Sequence, residues 1–322
     1  MIYNLKNEQK IRLDEFLRIE LPKKLQKECS NSKIRRLIIS GSVFVNENQV
    51  RRPAFVLFKN SNVSVNFEDE KFFFEKTQDD IKFDLTEKDV LFEDEYLICV
   101  NKPAFFPTEE TIVGNEKRDN LHQAVIRYLW QKNPQAKNPP YVGIMHRLDR
   151  ETSGIILFTK SRVVNKQIQS MFENHDFTKI YTALSTQKNL QKKSKYIEES
   201  EQNPREFTVN LFMNRISPKS QKAKWGIVPQ EKGGLLSKTK FTILKEEIKN
   251  QQKYFFIQAE LFTGRTHQIR VHLSEAGLPI LGDELYGGLP SKRIMLHSTV
   301  LIFNHPVTKE NIKITCEPNF DF

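Results

Sequence analysis

The stretch YVGIMHRLDRETSGIILFTKS, residues 141–161, decides the reading of this chain. Apolar residues lie on both sides of HRLDRETSG, so the polar segment is expected to be a loop held between two strands. Asp149 has Arg147 and Arg150 as neighbours, and Thr152, Ser153 and Gly154 close the turn. A lone Asp beside arginines is usually a surface ion pair that contributes little. Position alone therefore does not make Asp149 reactive. Working outward, short apolar strands alternate with fewer helices from DEYLICVNKP (94–103) to the C-terminus, which predicts an α+β domain. One helix is clear: Ser161 caps a segment in which Val164, Ile168, Met171 and Phe172 form a single stripe. Residues 186–206 are polar and without period, and are expected to be a mobile surface insertion.

Further out on the C-terminal side lies LFTGRTHQIRVHLSEAGLPILGDELYGG, residues 261–288. Arg265, His267, Arg270 and His272 crowd into eight positions, a density of donors unusual for a purely structural segment. The two histidines raise a metal reading. Their spacing matches no standard zinc helix, and no nearby carboxylate or Cys completes a ligand set, so no metal is expected.

The N-terminal side has a different pattern. IRLDEFLR (11–18) places Leu13, Phe16 and Leu17 at helical spacing. In SKIRRLIISG (32–41) Ser32 can cap a helix whose Ile34, Leu37 and Ile38 face inward and whose Lys33, Arg35 and Arg36 face out, with Gly41 ending it. VFVNENQV (43–50) alternates through a turn and reads as a hairpin. A basic helix face is more often merely solvated than a ligand site.

The 322 residues suffice for a large domain and a smaller one. Hydrophobic residues at 38% and charged residues at 28% suit a soluble globular protein and exclude a disordered one. Lys and Arg number 50 against 40 Asp and Glu, a net of +10, and the excess is unevenly spread. Residues 1–65 carry 13 basic and 6 acidic side chains, and residues 66–98 carry 4 and 12. Two positive blocks separated by an acidic connector fit two surfaces for a polyanion. Cys29, Cys99 and Cys316 lack paired spacing, which argues against a disulfide framework and fits a reducing cytoplasm. MIYNLKNEQK is too polar for a signal peptide, and no apolar run approaches a membrane span.

Taken together, several segments are similar to the RluA-type pseudouridine synthases. HRLDRETSG resembles the family's catalytic loop, whose Asp corresponds to Asp149; Arg147 corresponds to the side chain that fills the gap left by a flipped uridine. KIY (179–181) resembles the strand whose Tyr covers the target base, giving Tyr181. TGRTHQIRVH resembles the segment whose basic residue pairs with the catalytic Asp, and Arg265 is expected in that role. DEYLICVNKP and RIMLHSTVLIFNHP (293–306) resemble flanking segments of the same fold, a mixed and largely antiparallel β-sheet flanked by helices and loops. Two departures bear on target choice: Phe105 stands where the family has Gly, and Thr108–Glu110 where a His is usual. RLDEFL and IRRLIISGSVFVN resemble the S-four-type (alpha-L) RNA-binding module, a small α/β domain whose Lys33, Arg35 and Arg36 would contact RNA phosphates. Asn60–Ser61 replaces that module's Gly-Asp.

The resemblance implies RNA-binding residues 1–65, an acidic linker over 66–90 and a catalytic domain over 91–322. It implies isomerisation of uridine in RNA, with ribosomal RNA of the large subunit as first substrate and transfer RNA as second, by a cytoplasmic monomer. No electrons or groups are exchanged in that reaction, so no cofactor is expected, in keeping with the lack of Gly-rich dinucleotide or phosphate loops. A reading from another class is a non-catalytic ribosome assembly factor on the same fold.

Overall fold

The computed structural model describes residues 2–26, 29, 31–39, 41–66, 81–110, 112–113, 116–187, 194–218 and 223–322. Its backbone contacts divide the chain into two compact units, one built on Met1–Asp79 and the other on most of Asp80–Phe322.

In the first unit, helices α1 (Leu13–Leu25) and α2 (Asn31–Ile39) pack on a four-stranded antiparallel sheet. Its strands are β1 (Ile2–Lys6), β2 (Val43–Val45), β3 (Asn48–Gln49) and β4 (Asn62–Asn66). The helical spacing is realised: Leu13, Phe16, Leu17, Ile34, Leu37 and Ile38 are buried in one core with Val43, Val45, Val63 and Val65. Arg35 is exposed and Lys33 half-buried on α2, while the side chains of Ser32 and Arg36 lie outside the described residues. Gly41, at φ +86°, ends α2. The β2–β3 hairpin turns through Asn46 and Glu47, both left-handed (φ +47° and +68°), which is the two-residue turn that matches strand twist.

The second unit is organised by a twelve-stranded sheet. In chain order its strands are β5 (Val90–Glu93), β6 (Leu97–Lys102), β7 (Gly143–Ile144), β8 (Ser153–Thr159), β9 (Thr178–Thr186) and β10 (Ile197–Glu199). Then follow β11 (Glu206–Arg215), β12 (Trp225–Ile227), β13 (Leu235–Lys249), β14 (Gln252–Leu261), β15 (Leu296–Asn304) and β16 (Asn311–Thr315). The main spatial order is β10-β11-β13-β14-β9-β15-β8-β6-β5. Every recorded pairing in it is antiparallel except β8 with β15, so the fold is α+β with a mixed, largely antiparallel sheet. One core gathers α3 (Leu121–Lys132) and α5 (Gln268–Glu275) against the sheet, and a second packs α4 (Asn165–Glu173) on its other face. With cores on both faces, β6 and β8 are buried throughout or nearly so, which is why LICV and GIILF read as unbroken apolar runs.

Two expectations change. The segment 186–206 is not simply a mobile insertion, because Ile197–Glu199 pair with Phe207–Val209 as the edge strand β10; residues 188–193 lie outside the described residues. An edge strand with both faces partly wet needs no apolar alternation, so its sequence carries no strand signal. Of the acidic connector 66–90, residues 67–80 are not described, whereas Phe83 meets the Phe106 ring at 5.3 Å and Leu85 is buried in the large core.

Glu47→Gly relieves a left-handed glutamate and is expected to stabilise the hairpin by about 0.5–1 kcal/mol. Amide exchange at β2 and β3 in the full-length protein should slow accordingly, and Glu47→Val should speed it.

Candidate functional site

The loop 145–152 is tied down at every few residues. His146 opens it: its Nε2 accepts the Leu157 N–H of β8 at 2.9 Å and its ring lies 4.9 Å from that of Phe172. Burial, with Lys179 nearby, pushes this imidazole down to about 3, so it stays a neutral acceptor. Leu148 is clasped twice by buried Thr108, whose hydroxyl donates to the Leu148 carbonyl at 3.1 Å and accepts its N–H at 3.3 Å. Thr152 N–H closes the turn on the Asp149 carbonyl at 3.0 Å. Gly154, at φ +109°, runs so close to Ser298 of β15 that a Cβ would collide with its backbone, so only glycine fits.

Lys102 supplies a further anchor from beneath. Fully buried at the end of β6, its Nζ donates to the carbonyls of Pro103 (2.9 Å), Phe106 (2.8 Å) and Arg150 (3.1 Å). Burial pushes the amine down to about 7, opposed by Asp149 and Glu151 and reinforced by Arg150 and Arg293. Three carbonyls around one ammonium thus join the NKPAFF loop to the HRLDRE loop. Phe105, the departure from glycine, adopts the left-handed backbone that glycine favours (φ +64°), and its ring lies 5.3 Å from the Arg150 guanidinium.

Helix α5 approaches from the other side. Gln268 fixes its start: Oε1 accepts from Thr263 Oγ1 (2.7 Å) and Arg265 N–H (2.9 Å), while Nε2 donates to Lys238 O and Thr239 Oγ1. Arg270, 4% exposed, donates through Nε and Nη2 to the two Asp283 oxygens at 2.7 and 2.8 Å. Its third nitrogen, Nη1, lies 3.5 Å from Asp149 Oδ2. Burial would lower this guanidinium, but the hydrogen bonds to Asp283 and the charges of Asp283, Asp149 and Glu151 win and raise it. Gly282 (φ +85°) lets the chain pass against the Arg293 carbonyl and so delivers Asp283. His267 Nε2 lies 3.7 Å from the same Asp149 oxygen.

Asp149, Arg147, Tyr181, Arg265, His267 and Arg270 all line one cavity of about 100 Å³. Tyr181 is 8% exposed; burial and the Asp149 charge push its phenol up to about 12, against a hydrogen bond to Ser298. It therefore presents a neutral ring. Arg147 stands exposed at the cavity, 2.6 Å from Glu109.

The sequence-derived set is thus brought together, with one exchange of partner. The guanidinium beside Asp149 is that of Arg270, whereas Arg265 is exposed and its Nε donates to the Leu236 carbonyl at 3.2 Å. Spacing in GRTHQIR does not reveal where the helix begins. With α5 starting at Gln268, His267 and Arg270 stand three apart and reach one carboxylate, while Arg265 opens the turn that leads into the helix. Sequence reasoning also missed Lys102, Thr108, Asp283 and Tyr286. The lone Lys in the buried run LICVNK was the available signal for the first. Among the described residues no group of three or more His, Cys, Asp or Glu side chains is placed to hold a metal ion.

The chain is similar to known proteins over most of its length. Residues 96–275 match the RNA pseudouridylate synthase family model. An uncharacterized RNA pseudouridine synthase of Bacillus subtilis is 32% identical over 228 residues, covering 70% of this chain and 67% of the relative. One from Helicobacter pylori is 30% identical, covering 94% and 85%. The ribosomal large subunit pseudouridine synthase C of Vibrio parahaemolyticus is 28% identical, covering 94% and 88%. In fold, the human RNA pseudouridylate synthase domain containing 4 aligns with a TM-score of 0.53 at 20% identity, over 72% of this chain and 89% of that one.

Removing one partner of a buried ion pair costs about 3–5 kcal/mol. Asp283→Asn is therefore expected to lower the unfolding free energy by about 3 kcal/mol in urea denaturation, partly recovered when Arg270→Met is added.

Proposed function

The chain belongs to the RluA-type RNA pseudouridine synthases, and on that footing we propose that it isomerises uridines of large-subunit ribosomal RNA with Asp149 as the reacting carboxylate. The observation that carries this reading is the convergence of Asp149, Arg270 and Tyr181 on one cavity.

Uridine becomes pseudouridine when the N1–C1′ bond breaks, the base turns and C5 bonds to C1′. The reacting atoms lie inside a helical stack, so the nucleotide must swing out, at a cost of a few kcal/mol. Stacking on Tyr181 offsets about 1–3 kcal/mol of that. Arg147 is exposed where it can enter the vacated space and meet phosphates. Asp149 then attacks C1′ or takes the C2′ proton, and Arg270 steadies the carboxylate for either route. The first unit supplies a second RNA contact through Lys33, Arg35 and Arg36 on α2. Ribosomal RNA is favoured because a relative similar over nearly the whole chain is named for the large ribosomal subunit.

With RNA tritiated at uridine C5, the protein alone should release tritium, and Asp149→Asn should lower the rate by at least about a thousandfold while RNA affinity changes less than about threefold. Retained release would refute the role of Asp149. Deleting residues 1–65 should flatten the salt dependence of RNA binding by several units of slope, as lost phosphate contacts require. An unchanged slope would mean that this unit does not contact RNA.

A further inference from the structure

His267 has no task in the reaction as described, yet it lies 3.7 Å from Asp149 with its other ring nitrogen firmly engaged. Its Nδ1 is 2.8 Å from the Tyr286 hydroxyl oxygen, and that oxygen accepts the backbone N–H of Trp225 at 2.9 Å. The phenol keeps its proton at neutral pH: burial pushes it up to about 12, with Asp283 and Asp149 raising it and the Trp225 N–H and Arg270 lowering it. Trp225 N–H occupies the hydroxyl as an acceptor on one side, and His267 Nδ1 lies where the single phenolic hydrogen can be received. A nitrogen that accepts is bare. The imidazole's own proton then resides on Nε2, the atom that faces Asp149.

The charged groups around the ring are Asp149 and Glu151 from the loop, Arg270 from α5 and Asp283 from the turn before Tyr286. Burial lowers the imidazole, Arg270 lowers it further, and the three carboxylates oppose them without reversing the shift, so the ring is neutral at pH 7. The backbone agrees with a dedicated role. His267 is left-handed (φ +58°), a conformation unfavourable for a non-glycine residue, which the Gln268 clamp and the Tyr286 bond hold in place.

We propose that His267 is a positioning residue that acts through Asp149, locked by the Trp225–Tyr286 relay as the tautomer whose Nε2–H points at the carboxylate. Both His267 and Arg270 approach Oδ2, so together they hold that oxygen and leave Oδ1 to meet the sugar. At 3.7 Å the contact is longer than a formed hydrogen bond, as contacts of this kind often are before substrate binds. No proton is transferred, so the proton balance of the isomerisation is untouched. The inference rests on Asp149 being the reacting group.

Nitrogen NMR of the full-length protein labelled with 15N-histidine tests the lock without any activity measurement. The expected result is an Nε2–H tautomer for His267 at about pH 7 and above; an Nδ1–H tautomer or an imidazolium at pH 7 would overturn the inference. Tyr286→Phe removes the lock, so the same NMR measurement should show a mixture of Nε2–H and Nδ1–H tautomers, and kcat for tritium release should fall about tenfold with KM unchanged. An unchanged tautomer with unchanged kcat contradicts it. His267→Gln, which keeps a donor, should cost less than about tenfold in kcat with KM unchanged, against about a hundredfold for His267→Leu. Equal losses would show a merely structural role. If Asp149→Asn is inactive while His267→Leu turns over normally, only this inference fails; if Asp149→Asn is active, the underlying reading fails.

Discussion

A buried guanidinium cannot be left without partners, and the second unit answers that requirement with two carboxylates. Asp283 takes two nitrogens of Arg270 in a bidentate pair, and the third faces Asp149. At an effective dielectric of about 20, a charge pair about 3.5 Å apart attracts by on the order of 5 kcal/mol before desolvation is counted. Asp283 does more than neutralise. By fixing two nitrogens in a fork, it removes the rotational freedom of the side chain and so fixes where the third nitrogen sits. A lysine in place of Arg270 would offer charge without that geometry.

The carboxylate facing Arg270 is held with equal care. Thr108 clasps Leu148, Lys102 gathers the Arg150 carbonyl with two from the neighbouring loop, and Gly154 allows β8 to lie against Ser298. Asp149 sits between these anchors, in the loop that leads into β8, an interior strand buried along its whole length. The positions that depart from the family pattern take part in this framework. Phe105 accepts a left-handed backbone beside Arg150, and Thr108, in the segment 108–110, offers a hydroxyl that satisfies both Leu148 backbone groups. Preorganisation of this kind suits a reaction in which the enzyme supplies orientation and charge, with little reorganisation during the step.

Local pattern revealed much of this. HRLDRETSG announces itself as a loop because it is polar between apolar runs, and the helices and hairpin of the first unit follow from spacing, capping and turn residues. Asp149, Arg147, Tyr181 and Arg265 are legible as cavity residues through motif resemblance. What stays hidden depends on register and long-range contact. Choosing Arg270 over Arg265 requires knowing that α5 starts at Gln268. Asp283 comes thirteen positions after Arg270 with no periodic link between them. Lys102 looks like a strand-end lysine until three carbonyls are seen around it. The edge strand Ile197–Glu199 is specified by its partner, not by its own composition.

The role proposed for Asp149, beside Arg270, is action on uridine in ribosomal RNA. Its most direct test is a transcript-wide map of pseudouridines in cells carrying either the intact chain or Asp149→Asn at equal abundance. Discrete pseudouridines in large-subunit ribosomal RNA are expected with the intact chain and lost with the variant. Identical maps from the two would contradict it.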